Sequence, residues 1–174
     1  MQQDNEKIIN TTMDDFPAVL WLFEEAMKLQ GQNGYKVWKT LDKAGLVNDI
    51  QHNLQYKIVS RNDILCVFSV QLNDPLIWHN RDQNDAIYLH RIVVNPNHKG
   101  QKQFEKVMNW AIKYARQHNL KFIRMDTWAD NGKIIDYYQS FGFRFIENYR
   151  TTNAPELPIQ NRNLNVALME ITIP

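Results

Sequence analysis

The sequence predicts one α/β domain spanning residues 1–174, and three observations carry that prediction. Residues 86–94 are apolar on both faces except for His90 and Arg91, as suits a central strand covered on both sides. Phe104, Val107, Met108, Ala111, Ile112 and Ala115 recur at helical spacing, which predicts an amphipathic helix over about 100–118. Residues 122–127 are again a strand. The stretch 86–127 is therefore a parallel strand–helix–strand crossover, right-handed by default.

Composition agrees. A chain of 174 residues and 20.7 kDa is about one ordinary domain. With 44% apolar and 22% charged residues it can bury a core, and wholesale disorder is excluded. A net charge of +1 creates no field toward nucleic acid or an anionic membrane, so neither is an expected partner. No apolar run approaches the ~20 residues of a membrane span. The opening Met1–Lys7 lacks the basic flank and apolar stretch of a signal peptide, so a cytoplasmic location is expected. Cys66 is the single cysteine, which forbids an internal disulfide and a thiolate-cluster zinc site. His52, His79, His98 and His118 show no metal-ligand spacing, and no metal is expected.

The elements follow in order. Lys7–Asn10 is a short strand, after which Asp14 or Asp15 caps a helix that Pro17 suits in its first turn. Phe16, Val19, Leu20, Phe23 and Met27 give that helix one apolar stripe, ending near Lys28. Residues 30–40 are a turn-rich loop holding Tyr35 and Trp38. A second helix covers 41–54, with Leu46, Ile50 and Leu54 on one face. Residues 55–60 and 64–72 form a hairpin across Arg61-Asn62-Asp63. A polar loop over 73–85 carries Pro75 and Trp78. After the crossover, Asp130-Asn131-Gly132 starts a short helix that ends at Phe141, with Gly142 as its left-handed cap. Residues 143–149 and 164–173 are the last strands.

Two places carry chemistry. Lys99, Gly100 and Lys102 lie in the first turn of a helix after a buried strand and a tight break, where backbone N–H groups and the helix dipole favour phosphate. The alternative is that these lysines are simply solvated. Asn131 and Tyr138 are seven residues apart, two helical turns, and lie along one face near the C-terminal ends of the parallel strands. Ligands of open α/β sheets bind at such ends.

Leu89-His-Arg-Ile-Val-Val-Asn-Pro-Asn-His-Lys-Gly100, Asp126-Thr-Trp-Ala-Asp-Asn131 and Tyr138-Gln-Ser-Phe-Gly-Phe143 together resemble the GNAT superfamily of acyl-CoA-dependent N-acyltransferases. The resemblance covers about 86–147. It implies a mixed, mostly antiparallel central sheet with one parallel crossover and helices on both faces. It implies acetyl-CoA as co-substrate, with Ile92, Val93 and Val94 pairing with the pantetheine arm and one N–H polarising the thioester carbonyl. Lys99-Gly100 match the start of the family's pyrophosphate loop, and Asn131 is a further cofactor-binding residue. The two later glycines of that loop are Lys102 and Phe104 here. Glycine serves where backbone approaches phosphate or takes positive φ, and Lys102 lacks that freedom. Phe104 begins the core stripe and packs inward.

Resemblance also makes Tyr138 the general acid that protonates the leaving thiolate, and places His90 where some members carry a base. An amine of pKa near ~10.4 must lose a proton before it attacks, and imidazole at ~6.5 suits that task. His90 is either that base or a core histidine bonded to a neighbour, and Tyr138 is either the acid or a packing tyrosine. Tyr88, His90, Ile92 and Val94 are expected to alternate onto one strand face. Tyr137 points roughly 100° from Tyr138 and is the lesser acid. Tyr35, Trp38 and Trp78, as loop aromatics, are candidate acceptor contacts, or parts of a protein interface. Asp126 and Asp130 flank the strand end and can orient water, and Asp130 is equally a candidate helix cap. Trp21 and Trp110 are packing residues, and Cys66 is a core thiol. The expected activity is direct acetyl transfer to the primary amine of a small molecule or peptide, by a monomer or homodimer. The rival is a non-catalytic domain of the same fold whose altered loop binds acyl-CoA weakly or binds another partner.

Overall fold

Seven strands and five helices form among the described residues, 6–34, 36–38 and 40–174 of this computed structural model. In chain order they are β1 (Lys7–Asn10), α1 (Phe16–Gln32), α2 (Lys43–Gln51), β2 (Gln55–Ser60), β3 (Asp63–Gln71) and α3 (Pro75–Trp78). Then come β4 (Ala86–Val94), α4 (Gln103–Gln117), β5 (Phe122–Trp128), α5 (Gly132–Gln139), β6 (Arg144–Arg150) and β7 (Asn165–Thr172). The strands are ordered β1-β2-β3-β4-β5-β7-β6 in a mixed sheet with helices on both faces. Its parallel pair is β4–β5, as the crossover pattern predicts. No helix among the described residues is long and apolar enough to cross a membrane.

The chain divides into two compact units, Met1–Ser69 with Arg91–Val107, and Val70–His90 with Met108–Pro174. In the first, Val19, Leu22 and Phe23 of α1 and Leu46 and Ile50 of α2 bury against Val67 and Val93. These are the apolar stripes predicted for the two helices. Helix α1 runs four residues past its predicted end, because exposed Gly31 is tolerated in a last turn and the stop comes from Gly34 at φ +73°. A 3-10 turn, Met13–Asp15, precedes it, and Asp15 accepts from the Thr12 N–H at 2.8 Å. Helix α2 is shorter than 41–54. Left-handed Asn53 closes it, with Leu54 N–H bonded to Asp49 O at 2.8 Å and Asn53 N–H to Ile50 O at 3.2 Å. The β2–β3 turn has two residues, since Ser60 pairs with Asp63.

In the second unit, Ile77 and Trp78 of α3, Ala86 and Tyr88 of β4, and Val166 and Leu168 of β7 share a core with Leu157. The polar loop expected over 73–85 thus contains a buried helical turn. Trp78 is 1% exposed, so it is a core residue and not an exposed loop ring. The side chain lies in contact with the Tyr88 ring, centroids 5.9 Å apart, and under the Arg124 guanidinium. A single turn begun by Pro75 has no helical period to reveal it in sequence. Helix α4 buries Phe104, Val107, Met108, Ala111 and Ala115, as its spacing predicts. It starts at Gln103, three residues later than expected, after Gly100 and Lys102 both take positive φ.

Candidate active site

The parallel pair β4–β5 is short. Its register runs from Ala86–Phe122 to Tyr88–Arg124, whereas β5 pairs with β7 along all seven of its residues. His90 and Asp126 each lie two residues beyond the last paired positions, where the two strands have parted. A histidine and a carboxylate therefore face each other in a gap in the ladder. His90 Nδ1 is 3.9 Å from Asp126 Oδ1. On its other side, His90 Nε2 is 3.4 Å from Asp74 Oδ2. Asp74 was not singled out from sequence.

Burial pushes the Asp126 carboxyl above its usual range, the His90 charge draws it down, and the Asp74 charge pushes it up again. Tyr138 of α5 feels the same neighbourhood. Burial, then the charges of Tyr137 and Asp126, hold its phenol well above the ordinary tyrosine value. It packs edge-on against Phe143, centroids 6.2 Å apart. Tyr137 is the more exposed of the two, at 45%. Asn131 is the N-cap of α5, its Oδ1 accepting from Ile134 N–H at 3.2 Å. The helix cap is thus Asn131, not Asp130. Helix α5 ends at Gln139, two residues before the predicted end, and Gly142 at φ +95° lies beyond it.

Asp74, His90 and Asp126 each place one ligand-type atom within 4.8 Å of the others. A divalent ion holds its ligands at about 2.1 Å and therefore roughly 3.5 Å from each other. Here the two carboxylates address opposite nitrogens of one ring, an arrangement for sharing protons.

The predicted residues Trp38, Ile92, Val93, Val94, Lys99, Gly100 and Lys102 belong to the first unit. Arg91 has φ +51°, so the pleat is interrupted and the expected alternation from Tyr88 through Val94 does not run past His90. Val93 is buried, while Ile92 and Val94 are half-buried. Arg91 forms ion pairs with Asp49, within hydrogen-bonding reach, and with Asp42 at 3.8 Å. Lys102 takes φ +57°, the conformation that glycine would supply, which corrects the expectation that a lysine could not. Lys102 Nζ is 3.7 Å from Glu105. Beside it Gln103 is 3% exposed, and both polar atoms of its amide lack a hydrogen-bond partner. Sequence reasoning missed Gln103 too. Trp38 packs on the α1 core, 6.1 Å from the Phe23 ring. Tyr35 lies outside the described residues.

Comparison with known proteins points one way. Residues 67–143 match the family model described as the acetyltransferase (GNAT) family. A protein named uncharacterized N-acetyltransferase YesJ, from Bacillus subtilis (strain 168), is 26% identical over 159 residues, 80% of this chain and 88% of its own. The crystal structure of a GNAT-family acetyltransferase from Listeria monocytogenes 4b F2365 has a TM-score of 0.79 at 16% identity, covering 97% of this chain and 95% of the other. YncA from Salmonella typhimurium, solved with its cofactor acetyl-CoA, has a TM-score of 0.66 at 14% identity, covering 97% and 94%. The chain is thus similar, over 67–143 in sequence and over nearly its whole length in fold, to acetyltransferases of the GNAT family.

Proposed function

We propose that the chain, as one domain over 1–174, is an N-acetyltransferase that uses acetyl-CoA to acetylate a primary amine. The observation that supports it most is His90 in the strand gap, with Asp126 beside it and a protonated Tyr138 close enough to feel the Asp126 charge. The residues present suit the donor. Gly100 and Lys102 at positive φ turn the backbone before α4, and Gln103 offers a buried amide with no protein partner. Lys99 and Lys102 would hold the pyrophosphate by charge, and the backbone of Ile92, Val93 and Val94 would hold the pantetheine arm.

Bound donor supplies an electrophilic thioester carbonyl. His90 takes the proton of the acceptor ammonium, so that the amine can form the new N–C bond. A β4 N–H carries the charge that develops on the carbonyl oxygen. Tyr138 gives its phenolic proton to sulfur as the C–S bond breaks, and its phenolate then takes the second proton, which the new amide nitrogen sheds. Cys66 is buried within β3 and its thiol is pushed up to about 12, which disfavours a covalent acetyl-cysteine route. A primary-amine acceptor, small molecule or peptide, is the substrate class, and a cytoplasmic location is part of this reading.

The test is calorimetric binding of acetyl-CoA, followed by thiol release with a panel of primary amines. Binding that weakens steeply as salt rises, with amine-dependent release of coenzyme A, is the expected result. Binding without turnover on any amine would support the non-catalytic alternative. No binding at millimolar acetyl-CoA would end both.

A further inference from the structure

We propose that Asp74 is a positioning residue for acyl transfer: its carboxylate fixes the His90 ring with Nε2–H turned toward Asp74, so that Nδ1 receives the acceptor's proton. This rests on His90 being the base.

Asp74 occupies the N-cap position of α3, where an aspartate ordinarily turns its side chain onto the helix's own N–H groups. It does not do so here. Instead Asp74 Oδ2 is buried and makes no hydrogen bond, while His90 Nε2, a group that can donate to it, lies 3.4 Å away. The backbone at Asp74 is anchored from behind. Its N–H donates to Asp82 Oδ2 at 2.9 Å, and Asp82 Oδ1 accepts from the Tyr88 hydroxyl at 2.8 Å. The Tyr88 oxygen accepts from Arg124 Nη1 at 3.1 Å, and Arg124 Nε donates to Glu170 at 2.8 Å. Arg124 Nη1 also donates to Arg81 O at 2.7 Å, which ties down the far end of the 74–82 segment. The segment is thus fastened to β4, β5 and β7 at the places that aim the Asp74 carboxylate.

Among the described residues, Asp74 from the start of α3 and Asp126 from β5 bring carboxylates to His90, and Tyr138 from α5 lies close enough to Asp126 to feel its charge. Asp126 stands 3.9 Å from Nδ1, on the side where the proton arrives, and stabilises the imidazolium that forms. Asp74, by occupying Nε2, sets which tautomer waits for it. The pair resembles the general arrangement in which a carboxylate orients a catalytic histidine, with a second carboxylate on the working side.

The experiment is nitrogen-15 and proton NMR of the histidine rings in the resting protein, with His90 identified by the signal lost in His90→Gln. Wild type above its midpoint should show the Nε2–H tautomer. Asp74→Asn keeps a hydrogen-bond acceptor but removes the charge, so the His90 midpoint should fall by about one pH unit or more. The acid limb of kcat/KM should move down with it, while Asp74→Glu keeps the midpoint near wild type. An Nδ1–H tautomer in wild type overturns the proposal without any variant. A midpoint unchanged in folded Asp74→Asn overturns it as well. If the midpoint moves but the kinetic limb does not, His90 is not the base, and the proposal falls together with that reading. An unmoved midpoint with a limb that vanishes in His90→Gln refutes Asp74 alone.

Discussion

Tyr138 is held as an acid by its surroundings. With burial, Tyr137 and Asp126 all favouring the neutral phenol, the proton stays on oxygen across the physiological range. Tyr138→Phe should therefore lower kcat by roughly 10²–10⁴-fold and leave acetyl-CoA affinity nearly unchanged, read by steady-state kinetics beside calorimetry. Equal turnover in mutant and wild type would remove it from the mechanism. Lys102 makes the opposite point. A non-glycine residue in the left-handed region costs about 1–2 kcal/mol, and glycine gives part of that back through its freer unfolded chain. Lys102→Gly should thus leave stability within about 1 kcal/mol, yet flatten the salt dependence of donor binding. His90 and Tyr138 are legible as candidates because each sits at a fixed offset from a recognisable motif. Sequence could not show Asp74, sixteen residues before His90 in a segment with no period, nor the buried amide of Gln103.

At the scale of elements, the strands and long helices were legible because their apolar periods are unbroken over whole segments. Strand β4 was legible as a strand but not as a bent one. The left-handed Arg91 lies in the middle of an apolar run and leaves no compositional trace. Its side chain is 13% exposed and its Asp49 partner 5%, so this ion pair fastens the bend from the α2 side. Removing Asp49 leaves Arg91 the longer ion pair with Asp42, at 3.8 Å. Asp49→Ala should therefore cost about 1–3 kcal/mol in urea unfolding. A loss near zero would show that the Asp42 pair replaces the Asp49 one fully. Helix α3 was missed for a different reason: four residues give no period, and Trp78 is buried by the Arg124 and Tyr88 contacts that only the folded chain assembles.

For the molecule as a whole, three buried acids titrate late. Burial first raises the Cys66 thiol, to about 12, and the phenols of Tyr88 and Tyr138 above their ordinary values. The folded chain then binds more protons than the unfolded chain once pH exceeds the unfolded thiol value of ~8.5, so stability is full below that pH. It should fall as pH rises toward the folded values. Urea midpoints measured at intervals from pH 8 to 11 should decline, and the decline should be shallower in Tyr138→Phe. A flat series would contradict the burial of these groups.

The most direct test of the account is the pH dependence of kcat/KM in wild type and in His90→Gln, with melting temperature measured on the same preparations. Wild type should rise with pH to a plateau along a limb of one proton. His90→Gln should lose roughly 10²–10⁴-fold at neutral pH, and the deficit should shrink at high pH, where the amine has already shed its proton. A stable His90→Gln protein whose curve matches wild type would contradict the assignment of His90 as the base.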